Sequence, residues 1–278
     1  MKAYFPVPPN IRLQSCKDKI FGSITFLNAP NNRLESMFIR KAYKVIVYLG
    51  IYHLKNKYWR LKKVIKCEPF EFAEINRGEL NFEDHEMVVV LVKKSNCFEE
   101  ESKILPEPDS LRIDNSIVAQ RVSLNFSFLK STSSYQGEYP LQMARLEKSS
   151  FLSFDTLKGL RNKSSQSFLI LMNISKNSNS TDQIEVKFFD PKNKNKFKLL
   201  FANLNAFTVF KTDKYEKGFN NKETIFFTSE SCTFVPIILT IDLSTYQLSV
   251  EHMHPPSEYF MSSRKRELIK IIKSQWLN

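Results

Sequence analysis

Glycine is scarce in this chain: 6 residues out of 278. With so few, the phosphate-cradling loops of nucleotide-driven enzymes have little to be built from, and neither GxGxxG nor GxxxxGK[ST] occurs. GxSxG and HExxH are missing as well, which removes the nucleophile elbow of the α/β-hydrolases and the helical zinc site of the metalloproteases. The four cysteines, Cys16, Cys67, Cys97 and Cys232, stand far apart with no CxxC or CxxxH spacing. That excludes a zinc knuckle and a paired redox motif, and leaves thiols suited to a reducing compartment. No run reaches the roughly 18 consecutive apolar residues of a membrane span. Residues 1–16, MKAYFPVPPNIRLQSC, carry adjacent prolines where a signal peptide needs an apolar core. The expectation is a cytoplasmic protein without a transmembrane segment, for which a membrane surface is not the expected partner. Four Asn-x-Ser/Thr triplets, at Asn125, Asn162, Asn173 and Asn179, are what chance provides in a chain rich in Asn and Ser.

What the chain has in quantity is phenylalanine, 24 residues, and positive charge, net +12. The first describes a densely packed globular protein with an aromatic core. The second is unevenly spread. Residues 68–109 hold twelve acidic side chains against four basic ones, so the other 236 positions carry +20. A basic body with an acidic insert points toward nucleic acid or an acidic protein as partner.

Residues 97–115, CFEEESKILPEPDSLRIDN, combine an acidic triplet with two prolines, the composition of a linker. This divides the chain into a smaller β-rich or α+β N-terminal domain at 1–98, an acidic proline-containing linker at 99–115, and an antiparallel β-sandwich-like domain with a terminal amphipathic helix at 116–278. Within the last, Val122, Leu124, Phe126 and Phe128 alternate with polar residues, as in a half-buried strand. Short apolar or alternating runs follow at strand spacing through QIEVKFF and TFVPIILTIDL. Residues 34–54 fit a helical face as well as a strand; the β-branched and aromatic content favours a hairpin turning at Lys55-Asn56-Lys57. Helices are expected from Pro140 onward and over 262–278, where Leu268, Ile269, Ile272 and Trp276 share one face.

Three stretches carry chemical possibilities. In KNKYWRLKKVIK, Lys55, Lys57, Arg60, Lys62, Lys63 and Lys66 interleave with Tyr58 and Trp59. Single-stranded nucleic acid asks for that combination of phosphate neutralisation and base stacking, and an acidic protein asks for the charge alone. The bland alternative is a hairpin whose aromatics are core and whose lysines are solvated. In VEHMHPPSEYF, His252 and His254 lie two apart on a strand and Glu258 follows. This H-x-H-x3-E resembles the first metal motif of the cupin family, and the resemblance implies a divalent metal on His252, His254 and Glu258. Tyr246 and Lys265 stand where that family has glycines, and Pro255-Pro256 is a usual way to end a strand. Finally, Asp155 with Glu185-x-Lys187 resembles the D…ExK core of the restriction-endonuclease-like nucleases, which implies magnesium on the carboxylates and a lysine beside the attacking water.

Taken together these features favour a non-enzymatic binding or assembly subunit of a cytoplasmic complex, without cofactor. It would be an accessory protein contacting nucleic acid or an acidic protein, or its own kind. A metal-dependent enzyme of nuclease or cupin type is the alternative.

Overall fold

The computed structural model describes residues 3–13, 18–28, 46–56, 58–76, 86–93, 98, 101–102, 120–136, 139–140, 150–155, 164–175, 182–190, 193–212, 224–229 and 234–252. Among these every regular element is a strand and every pairing is antiparallel, so the protein is mainly β. The chain forms two compact units, one holding the described strands through Pro140 and the other those from Ser150 on.

The first unit contains β1 (Ala3–Val7), β2 (Asn10–Arg12), β3 (Lys19–Asn28), β4 (Val47–Lys55), β5 (Tyr58–Cys67), β6 (Phe72–Ile75), β7 (Val88–Lys93), β8 (Glu101–Ser102), β9 (Gln120–Phe128), β10 (Ser131–Gln136) and β11 (Tyr139–Pro140). One sheet runs β11-β1-β7-β4-β5-β8. The other runs β10-β9-β3, with β2 and β6 both bonded to β3. Pro8 and Pro9 carry the chain from β1 in one sheet to β2 in the other; lacking N–H groups, they leave no ladder bond unmade at the crossing. Gly22 of β3 lies against this crossing: its N–H donates to the Pro9 carbonyl at 3.0 Å. A Cβ there would sit 2.3 Å from the Pro8 carbonyl oxygen, so only glycine fits.

Ile20, Ile24 and Phe26 of β3 are buried with Val122, Leu124, Phe126 and Phe128 of β9, and the register sets Ile24 opposite Leu124 and Phe26 opposite Val122. A period-2 apolar pattern on each of two paired strands produces this shared face, each such side chain contributing about 1.5–3 kcal/mol of burial. β7, between β1 and β4, is buried at every position, as its unbroken Val-Val-Val-Leu-Val run requires. Tyr135 of β10 stacks on Phe126 with centroids 6.3 Å apart. Tyr135, buried, is therefore a core anchor.

The second unit contains β12 (Ser150–Asp155), β13 (Ser165–Met172), β14 (Gln183–Asp190), β15 (Asn193–Asn203), β16 (Phe207–Lys211), β17 (Thr224–Ser229), β18 (Val235–Asp242) and β19 (Gln247–His252). Its sheets run β12-β17-β14-β15 and β16-β13-β18-β19. Leu169, Leu171, Phe210 and Ile238 from the second pack with Val186, Phe188 and Ala202 from the first in one core, the layering of a sandwich. Where β15 turns toward β16, buried Asn205 takes φ 50°, which asparagine tolerates. Its backbone N–H donates to the Asn173 side chain at 3.3 Å, and its own side chain accepts from the Ser175 N–H at 2.8 Å. Asn173, one of the four triplet asparagines, is thus part of the interior.

The architecture differs from the sequence reading at the seam. β9 lies beyond the expected linker at 99–115, yet it pairs with β3 over eight positions, from Phe21↔Ser127 to Asn28↔Gln120. Glu101 and Ser102, inside that stretch, pair with Arg60 and Trp59. Glu101 and Ser102 thus belong to the first unit, whose described strands run through Pro140. Long-range strand pairing overrides a compositional boundary because the ladder is made by the backbone, whatever the charge between. The helices expected beyond Pro140 and over 262–278 lie outside the described residues, although Pro140 itself ends a strand paired with Ala3.

Candidate binding face of the β4–β5 hairpin

β4 and β5 form the expected hairpin, closed by Lys55↔Tyr58 with Asn56 at φ 52° in the turn. A two-residue hairpin turn wants a left-handed residue, and asparagine supplies one. Lys57 lies outside the described residues.

The register decides which side chains share a face. It pairs Lys55 with Tyr58, His53 with Arg60 and Ile51 with Lys63, then Leu54 with Trp59 and Tyr52 with Leu61. The shift between Ile51 and Tyr52 leaves Lys62 as the extra residue of a bulge. Without the bulge, alternation would group Lys62 and Lys66 with Arg60. With it, Lys63 joins Tyr58 and Arg60, and Lys66 moves to the opposite face beside Tyr48. Lys66 is further withdrawn by an ion pair with Glu68, whose hydrogen bond holds the ammonium above its usual pKa range.

Trp59 is fully buried. It cannot stack on a base, and this corrects its assignment to a contact surface. Strand alternation forces the outcome: with Tyr58 and Arg60 outward, the residue between them must face in. Tyr58, 37% exposed, is the aromatic that remains outside. The exposed cluster is Lys55, Tyr58, Arg60, Lys62 and Lys63 around half-buried His53. Burial holds the His53 imidazole below its ordinary pKa range; Glu86 opposes this, while Lys62, Lys55 and Arg60 reinforce it. Lys55, Arg60 and Lys62 thus all act on His53, which sequence spacing alone could not establish.

The opposite end of β5 carries a second constructed feature. Residues 68–71 make a turn closed by the Glu71 N–H donating to the Glu68 carbonyl at 3.0 Å, with Pro69 second and Phe70 third at φ 69°. That is type II geometry, in which glycine is the ordinary third residue. Buried Asn28 fixes it. Its side-chain amide donates to the carbonyls of Cys67 and Glu68, each at 3.1 Å, and its carbonyl accepts from the Phe70 N–H at 2.8 Å. The Glu71 carboxylate accepts from the Glu68 N–H at 2.7 Å, and the Cys67 thiol donates to the Glu71 carbonyl at 3.4 Å. Burial pushes that thiol above its usual pKa range, so Cys67 is a structural cysteine. Sequence reading passed over this corner. Its signal was present in Glu-Pro-Phe-Glu, with proline in the second turn position, but the missing glycine concealed it.

The nuclease-like residues are not brought together. Glu185 and Lys187 lie on β14, opposite Phe201 and Leu199 of β15. Lys187 stands over the Phe197 ring, 6.0 Å from its centroid. Asp155 pairs with Thr224 at one end of β17, whereas Lys187 pairs with Thr228 near the other and Glu185 lies further out still. At about 3.3 Å per residue, Asp155 and Glu185 are on the order of 20 Å apart along the sheet. Of the cupin-like residues, His252 ends β19 opposite Ile237, and His254 and Glu258 lie outside the described residues. Among the described residues no group of three metal-binding side chains occurs. Among them, too, no helix is long and apolar enough to cross a membrane.

No family model matches the chain, and no curated protein does. Among solved structures it is similar to the major pilin from Streptococcus pyogenes, at 10% identity over 91% of this chain and 98% of that one, with a TM-score of 0.24. A superposition so loose carries no argument about function.

Proposed function

We propose that this protein is a non-enzymatic binding subunit of a cytoplasmic complex whose β4–β5 hairpin takes an anionic partner, and that an acidic protein segment suits it best. The observation that carries the reading is the convergence of Lys55, Arg60 and Lys62 on His53, with Lys63 and Tyr58 on the same face. With Trp59 in the core, Tyr58 is the aromatic left beside the basic cluster for base stacking, which weakens the case for single-stranded nucleic acid and leaves charge recognition. A reducing compartment fits Cys67, a buried free thiol.

The test is a titration of the full chain with an acidic peptide and, separately, a single-stranded oligonucleotide, each at low and high salt. Peptide binding that weakens with salt, and that drops at least tenfold in Arg60→Glu/Lys62→Glu/Lys63→Glu, supports the proposal. Tighter binding of the oligonucleotide would transfer the site to nucleic acid. Absence of salt-sensitive binding to both would sink the reading.

A further inference from the structure

We infer that the acidic partner of the hairpin is a second copy of this chain, which offers the corner at residues 68–72, so that copies associate head to tail; the inference rests on the hairpin reading above. Phe70 and Phe72, 58% and 60% exposed, are the most exposed large apolar side chains among the described residues. Phe70 is out of place as a turn residue, since glycine takes φ 69° without a clash and phenylalanine does not. Such a residue persists only where its surroundings over-determine it, and the Asn28 bonds do so. Leu129 and Tyr246 also hold positive φ, but each stands singly in a turn beside polar Lys130 or Thr245. At the corner the strained residue is doubled by Phe72, and Glu71 and Glu74 stand beside them in the chain, while Glu68 is already ion-paired with Lys66.

The chemistry of the two ends of β5 is complementary. Two exposed rings with carboxylates beside them in the chain are a receptor for cations, the rings by cation–π attraction and the carboxylates by charge-assisted hydrogen bonds. The hairpin end presents Lys55, Arg60, Lys62 and Lys63. Within one copy the ends cannot meet, because a ten-residue strand separates them by about 30 Å. Between copies they can. The contact joins two different surfaces, so it does not close on itself as a two-fold dimer does, and it propagates into chains or rings.

Sedimentation velocity of the full chain over a concentration series tests this. Wild type is expected to show a ladder of masses that grows with concentration at low salt and collapses at high salt. Phe70→Gly/Phe72→Ser lacks the corner, and Arg60→Glu/Lys62→Glu/Lys63→Glu lacks the hairpin face; each alone should associate at least tenfold more weakly. Mixed, they should form a one-to-one complex that grows no further, because each supplies one intact half. The single variant Phe70→Gly should melt at or above the wild-type temperature, separating lost association from lost fold. A wild type that stays monomeric at low salt, or a corner variant that still forms the ladder, or a mixture that fails to pair, overturns the inference. If the corner variant still binds the acidic peptide in any of these cases, the hairpin reading survives; if it does not, both fall.

Discussion

The two ends of β5 solve one geometric problem with opposite residues. At the Lys55–Tyr58 end the left-handed position is filled by Asn56, and at the Cys67 end by Phe70. Asparagine accepts that conformation at small cost. Phenylalanine does not, and the corner is held from outside by a buried side chain on another strand, Asn28 of β3. A turn whose residue suits it is determined locally. A turn whose residue resists it is determined by the fold.

The largest effect expected is at the hairpin end and probes its inside and outside. Trp59→Ala should cost about 3–5 kcal/mol, whereas Tyr58→Ala should stay within about 0.5 kcal/mol. Urea unfolding followed by circular dichroism measures both, and comparable losses would mean that the hairpin's two faces are wrongly assigned. At the corner, Asn28→Ala removes two side-chain hydrogen bonds, to the carbonyls of Cys67 and Glu68, the second of which keeps the Glu71 N–H, an expected loss of about 1–3 kcal/mol by the same measurement. A loss no greater than that of an exposed substitution would show that the turn holds itself.

Replacing the left-handed residues themselves sharpens the contrast. Phe70→Gly should raise stability by about 1 kcal/mol, as relief of the left-handed penalty outweighs the added freedom of the unfolded chain. Asn56→Gly should change it by less than about 0.5 kcal/mol. Equal responses at the two ends would erase the distinction.

The smallest effect is the pH dependence of the hairpin end. Since burial first, and the neighbouring cations after it, hold His53 below its ordinary range, the unfolded chain takes up a proton that the folded one refuses. The contribution is complete above the usual histidine range and is lost as pH falls through it toward the folded value. NMR titration of His53 should show the depressed midpoint, and Arg60→Gln should move it upward. A midpoint at or above the ordinary value would contradict the basic cluster.

The legible parts of the sequence were those governed by neighbours in the chain. Alternation in RVSLNFSF identified β9, and β-branched and aromatic density with Asn56 identified the hairpin. The corner was hidden because its turn residue violates the local rule, and its explanation, Asn28, lies forty residues from Glu68. Tyr58 and Trp59 read alike as candidate stacking residues until the pleat put one outside and one in the core. Lys66 read as part of the basic row until the Lys62 bulge turned it to the other face.

By itself the sequence determined that this chain is built of strands, that its core is aromatic and aliphatic, and that it lacks the glycine-built loops of nucleotide enzymes. Period-2 patterning and composition act over a few residues, so they need no knowledge of the rest. The tertiary structure alone decided that β9 belongs with β3, that Asp155 and Glu185 stay apart, and that Lys55, Arg60 and Lys62 act together on His53 while a strained phenylalanine marks the far end of the same strand. Those outcomes depend on register, and register is set by pairing between segments that the sequence keeps far apart.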